Sequence, residues 1–258
     1  MSIHLVGGGW AEPGEAGAGD EYARFLEEAR ARARAAGRAA DASGRPRPRI
    51  AVVAVGDEGP ADARAHADRL LAQLGFAAGA DAADAVEAVV SAVGPGREVP
   101  QAAFAEVDGI VVGGGLTPAY RDALEPRFVE VRRLVASGVP YLGFSAGAAI
   151  AADRAVIGGW RIGGVPVAPE ETSEDLDEVT VAPGIGLVDV AIDAHAAQWG
   201  TLGRLVAAVE AGLVEGGLAI DERTALIVGE GGLVAAGAGS VWRVLPGDQG
   251  VVVSTMGA

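Results

Sequence analysis

Six apolar residues in a row, Ile50-Ala51-Val52-Val53-Ala54-Val55, constrain this chain more than any other feature. A strand with one wet face alternates polar and apolar side chains. A strand without that alternation is covered on both faces, as in a parallel sheet held between helices. The run ends in Gly56-Asp57-Glu58-Gly59-Pro60, and a helix is expected from about Ala61 to Leu74. Similar units recur. Ile3-His4-Leu5-Val6 reads as a first strand ending in Gly7-Gly8-Gly9. A surface helix over Asp20–Ala36 follows, with Tyr22, Phe25, Leu26 and Ala29 at helical spacing and a charged opposite side. A third strand is read at Val86–Val90. A fourth, Gly109–Val112, ends in Gly113-Gly114-Gly115 and leads to a helix over Pro118–Ala136. Repeated strand–helix units imply right-handed crossovers and an α/β fold: a three-layer, doubly wound, mainly parallel sheet. In such sheets ligands bind at the carboxyl ends of the strands.

The next strand, Pro140-Tyr141-Leu142, runs into Gly143-Phe144-Ser145-Ala146-Gly147-Ala148 and then Ala149-Ile150-Ala151-Ala152. G-x-S-x-G between a strand and a helix is the setting of a nucleophile elbow. The small neighbours let the backbone turn sharply and hold the Ser145 hydroxyl above the sheet. A helix beginning at Ala146 is expected to aim its free N–H groups and positive dipole end at the same spot, where an oxyanion would develop. The loops Gly7–Gly9 and Gly113–Gly115 end other strands and should meet Ser145 in one crevice.

A serine nucleophile needs a base, and the chain has three histidines. His4 lies inside the first strand, where a structural role is expected. His66 lies in a helix rich in Ala, Asp and Arg, where a solvated side chain is expected. His195 follows the apolar segment Leu187–Asp193 and precedes Ala196-Ala197, so it sits at a strand end and is the base by elimination. There is no cysteine, which excludes disulfides, thiolate metal sites and a cysteine nucleophile.

Beyond Ala152 the texture changes. Ala155–Ile157, Trp160–Ile162 and Val179–Ala182 read as hairpins, with the acidic stretch Glu170-Glu171-Thr172-Ser173-Glu174-Asp175 between them. A helix is expected from about Thr201 to Ala211, and short strands from Leu218 onwards form C-terminal β-hairpin additions. With no internal repeat and no clear linker, 258 residues are expected to form a single domain, 1–258. The formal charge of −15 argues against nucleic acid and anionic membranes as partners. Met1–Val6 lacks the pattern of a secretory signal, and no apolar run approaches the ~18 residues of a membrane span, so a cytoplasmic protein is expected.

Taken together, these segments resemble the dipeptidase E and cyanophycinase family of serine peptidases, which use the flavodoxin-like fold of class I glutamine amidotransferases with serine in place of cysteine. The resemblance runs end to end. Leu5-Val6-Gly7-Gly8-Gly9 is similar to the family's first strand and loop, and Val111-Val112-Gly113-Gly114-Gly115-Leu116-Thr117 to its glycine-rich loop. Gly143-Phe144-Ser145-Ala146-Gly147-Ala148 matches the nucleophile motif. Asp193-Ala194-His195, with Gln198, Gly200, Leu202, Gly203, Arg204 and Leu205, follows the histidine segment, and Ala219–Leu226 a later strand motif. The departures are specific. Ala194 and Ala196 replace a glutamine and an aromatic residue, Trp199 and Thr201 replace two arginines, and Gly158-Gly159-Trp160 stands where Gly-Gly-Glu is expected.

The resemblance implies hydrolysis of a peptide or isopeptide bond in a small peptide or acyl-amide, through an acyl-enzyme on Ser145 with His195 as base. It places the oxyanion hole at Gly114 or Gly115 and Ala146, and substrate contacts at Leu116, Thr117, Gln198 and Trp199. No metal or organic cofactor is expected, and a homodimer is compatible with this reading. The acid that orients His195 is expected to be Glu170 or Glu171, ahead of Asp153 and Asp193. Without the two arginines, apolar or basic residues are expected over aspartate at the scissile position. Two alternatives share the fold: a binding protein that has lost the acid, and a glutamine amidotransferase-like subunit, disfavoured because that chemistry normally uses cysteine.

Overall fold

The computed structural model describes residues 2–41 and 43–257. The amino-terminal part alternates as expected: β1 (Ile3–Val6), α1 (Asp20–Ala35), β2 (Arg49–Val55), α2 (Pro60–Ala78), the one-turn α3 (Ala82–Ala85) and β3 (Glu87–Val93). Then come β4 (Gly109–Val112), α4 (Thr117–Leu124), α5 (Phe128–Ala136), β5 (Tyr141–Phe144) and α6 (Ala146–Ala149). Next are the short strands β6 (Arg154–Gly158), β7 (Arg161–Ile162), β8 (Val165–Pro166), β9 (Thr180–Pro183) and β10 (Ala191–Ala194). After α7 (Leu202–Glu210) the chain closes with β11 (Gly217–Ile220), β12 (Thr224–Gly229), β13 (Gly232–Gly237), β14 (Ser240–Gly247) and β15 (Gly250–Gly257).

The central sheet has the order β13-β12-β1-β5-β4-β2-β3. Its strands β1, β5, β4, β2 and β3 are parallel, and the β12–β13 hairpin extends it antiparallel. The doubly covered reading of β2 is visible in its packing. Ile50, Val52 and Ala54 join Phe25 and Leu26 of α1 and Leu70 and Leu74 of α2 in one core. Ala51, Val53 and Val55 join Tyr120 of α4 and Val131 of α5 in the other. Each such Val or Ile, buried from water, contributes roughly 1.5–3 kcal/mol of transfer free energy. A second sheet, β10-β11-β14-β15, carries α7 on one face through Leu205, Ala208 and Val209. Its other face packs on the second core through Ile192, Leu218 and Ile220.

Two helix expectations are corrected. The helix read over Pro118–Ala136 is broken into α4 and α5 by a 3-10 turn at Glu125–Arg127. Pro126, inside that turn, has no N–H to donate and its ring crowds the preceding turn. The helix after the elbow is a single turn. The carbonyls of Ile150, Ala151 and Ala152 accept instead from Ile185, Leu187 and Gly186, so this chain segment pairs with 184–188 rather than coiling further. Among the described residues, no helix is long and apolar enough to cross a membrane.

Candidate active site

The elbow forms because glycine flanks it at two tight points. A Cβ at Gly143 would collide with the Gly147 carbonyl, and one at Gly147 with the Val112 carbonyl. This close approach lets β5 turn straight into α6, with Ser145 at φ +52°, ψ −108° between them. A non-glycine residue held there costs about 1–3 kcal/mol, offset by the surrounding packing. The Ser145 amide is fixed to the Val6 carbonyl at 2.9 Å. Since α6 has only four residues, its macrodipole is small, and the local N–H groups carry the positive potential. The amides of Gly114, Gly115 and Ala146 donate to no acceptor among the described residues. Gly114 lies against Ser145: a Cβ there would be 2.8 Å from the Ser145 Cβ.

His195 directly follows β10, also at positive φ (+57°), with its amide bonded to the Gly7 carbonyl at 2.8 Å. Its Nε2 lies 2.8 Å from the Ser145 Oγ. Its Nδ1 lies 2.6 Å from the Glu222 Oε1. Burial pulls the imidazole below its ordinary value of 6.5, while the hydrogen bond and charge of Glu222 act the other way. The ring is stacked on Trp199, with centroids 3.7 Å apart and planes at 9°. Gly8 crowds it so closely that a Cβ there would lie 2.1 Å from the His195 Cε1. Thus the loops after β1, β4 and β5 do meet at Ser145.

The carboxylate on His195 is neither Glu170 nor Glu171. Both lie exposed in the 3-10 turn Glu170–Thr172, and neither bonds His195. Glu222 arrives because β10 and β11 run parallel in register, Ala194 beside Ile220, so the residues just past each strand end rise together. The turn is held on all sides. Asp221 accepts from the amides of Ala197 and Ser240 and from the Trp242 indole, and the Arg223 amide donates to the Gly8 carbonyl. The Arg223 side chain bonds Glu15 and Glu21. The signal in the sequence is an acidic residue directly after an apolar strand, Ile220-Asp221-Glu222, inside a segment already singled out.

The other expected residues divide. Leu116 and Trp199 line a cleft of about 270 Å³ that opens at Ser145. Thr117 is buried, and its amide donates to the Glu174 Oε2 at 2.8 Å. Gln198 does not line the cleft: its Oε1 accepts the Glu222 amide at 2.9 Å and so braces the carboxylate on His195. Asp193 is taken by Arg204 in a two-pronged pair at 2.7 and 2.9 Å, and Asp153 lines a different cavity. His4 is buried against Glu28 and Phe25, and His66 lies in α2. Among the described residues, no cluster of three or more His, Asp or Glu side chains is placed to hold a metal ion.

No family model matches the chain, and no curated protein does. Among the solved structures that share its fold are the following two. A peptidase from an acI-B1 Actinobacterium is 15% identical, with 100% of this chain and 94% of that chain covered and a TM-score of 0.62. A putative Peptidase E protein from Listeria monocytogenes EGD-e is 12% identical, with 92% and 98% covered and a TM-score of 0.50. The mainly parallel sheet with its added strands is thus a peptidase E-like, flavodoxin-like α/β fold.

Proposed function

We propose that this protein is a serine hydrolase that cleaves peptide or acyl-amide bonds through an acyl-enzyme on Ser145. The observation that carries this reading is the continuous relay Ser145 Oγ–His195 Nε2 at 2.8 Å and His195 Nδ1–Glu222 Oε1 at 2.6 Å. His195 takes the hydroxyl proton as Oγ attacks the carbonyl carbon, and the oxygen of the tetrahedral intermediate is received by the amides of Ala146 and of Gly114 or Gly115. The imidazolium then protonates the leaving amine. A water, deprotonated by the same nitrogen, hydrolyses the ester and restores Ser145. Glu222 fixes the ring tautomer and offsets the positive charge of the imidazolium. The residues could do this without a metal or organic cofactor.

The family read from the sequence, dipeptidase E and cyanophycinase, agrees with this chemistry, as do the descriptions of the two fold neighbours. A binding protein that lost its acid is disfavoured by Glu222, and an amidotransferase subunit by the lack of cysteine. The test is hydrolysis of a panel of dipeptides and aminoacyl anilides by the wild type and Ser145→Ala. Turnover lost in the variant, with an unchanged melting temperature, supports the assignment. Turnover kept within about tenfold rules out Ser145 as the nucleophile.

A further inference from the structure

The cleft over Ser145 has a charge imbalance that the triad does not use. Asp57, Glu171, Glu174 and Asp175 line it, and none of the four is in an ion pair among the described residues. The guanidinium that lines the adjoining chamber, Arg204, is already spent. It bonds both oxygens of Asp193, and its remaining nitrogen donates to the carbonyls of Thr172 and Gly159. Trp199 covers His195 yet stays 45% exposed, so part of its indole faces the cleft.

Acidic side chains alone would be ordinary surface charge. Here they share a cleft with a nucleophile hydrogen-bonded to its base, where a substrate must lie. Glu174 is the most firmly placed of them. It sits at φ +56°, its Oε2 holds the Thr117 amide at 2.8 Å, and Gly158 packs so tightly that a Cβ there would lie 2.6 Å from the Glu174 Cβ. Among the described residues no arginine or histidine forms an ion pair with its carboxylate. Burial pushes the carboxyl up to about 7, against the pull of the Thr117 amide and Arg204. The direction of cleavage places the substrate. The leaving amine must face His195 Nε2 to be protonated, so the acyl part lies away from that nitrogen, along the cleft lined by Leu116 and Glu174.

We propose that the acyl part of the substrate carries a positive charge, an α-ammonium or a basic side chain, with Glu174 as its counter-ion and the Trp199 indole as its wall. A cation beside a carboxylate and over an indole face gains from both. An aspartyl side chain in the same place would meet only like charge. This inference rests on the serine-hydrolase reading of the same site.

The test uses the p-nitroanilides of leucine, lysine, Nα-acetyl-leucine, Nα-acetyl-lysine and Nα-acetyl-aspartate, with fluorophosphonate labelling of Ser145 run beside them. The readout is the ratio of kcat/KM for each cationic substrate to that for neutral acetyl-leucine. In the wild type one cationic class is expected to lead by at least about tenfold, the scale of one desolvated charge contact. Leucine above acetyl-leucine assigns the charge to the α-ammonium; acetyl-lysine above acetyl-leucine assigns it to the side chain. Glu174→Gln is expected to collapse the ratio about tenfold, and Asp175→Asn at the rim to lower it a few-fold, because that charge is more exposed. An enzyme that labels but cleaves acetyl-leucine as well as the cationic substrates, prefers acetyl-aspartate, or keeps its ratio in both variants overturns the inference and leaves the serine reading intact. Absence of both labelling and turnover overturns the serine reading, and this inference with it.

Discussion

The indole of Trp199 lies flat on the imidazole of His195, with ring centroids 3.7 Å apart. The resemblance places an arginine at this position, and the sequence reading made Trp199 a wall of the substrate pocket. In the structure it is first a support for the His195 ring. A hydrogen-bonded imidazole can still rock about the axis through its two nitrogens, and a flat neighbour resists that motion. Trp199→Phe keeps a stacking face, so kcat is expected to stay within a few-fold. Trp199→Ala is expected to lower kcat about ten- to hundredfold by loosening the Oγ–Nε2 geometry. Steady-state kinetics on one neutral substrate separates the two. Equal losses in Phe and Ala would show that the stacking does not position His195.

Glu222 is expected to behave as the third triad member. Glu222→Gln should lower kcat by about 10²–10⁴, since an amide on Nδ1 no longer enforces the tautomer or stabilises the imidazolium. Glu170→Gln, on the exposed turn, should stay within about threefold of wild type. The reverse ordering would return the acid to the acidic stretch.

The fold was largely legible because its signals are local. Unbroken apolar runs gave the covered strands, and the elbow spelled itself in six residues, Gly143 to Ala148. His195 followed by elimination among three histidines. What was not legible depends on non-local pairing. Glu222 reaches His195 only because β10 and β11 are parallel neighbours in a separate sheet, and nothing near either residue records that register. The length of α6 is set in the same way, by segment 184–188 taking the carbonyls of the residues that follow it. The break at Pro126 was local and could have been read from the proline itself.

The pH profile follows from the imidazole. His195 must be neutral to accept the serine proton, so kcat/KM falls as pH drops through its pKa. Burial, the largest influence, lowers that pKa; Glu222 on Nδ1 and nearby Asp193 raise it, and Arg204 lowers it. With the net direction downward, the acid limb for a neutral substrate should lie below 6.5. In Glu222→Gln, one raising influence is gone and the residual limb should move lower still. A limb above 6.5 in the wild type would show that Glu222 outweighs burial.

Gly8 is required by both backbone and space. At φ +98°, a side chain is strained, and its Cβ would clash with the His195 ring, 2.1 Å from Cε1. Gly8→Ala is therefore expected to cost about 1–3 kcal/mol in thermal or urea unfolding. Activity should fall more steeply than stability, because the ring must move. An alanine variant with normal kcat would mean that His195 can shift without loss, contrary to the tight relay described above.

The most direct test of the account is intact-mass spectrometry after reaction with a fluorophosphonate at neutral pH. The wild type is expected to gain one adduct, mapped by peptide sequencing to Ser145. Ser145→Ala should gain none, and His195→Ala should react slower by about a hundredfold or more, since the hydroxyl is no longer deprotonated as it attacks. An unlabelled wild type, or a His195→Ala variant labelled as fast as the wild type, would contradict the claim that His195 activates Ser145.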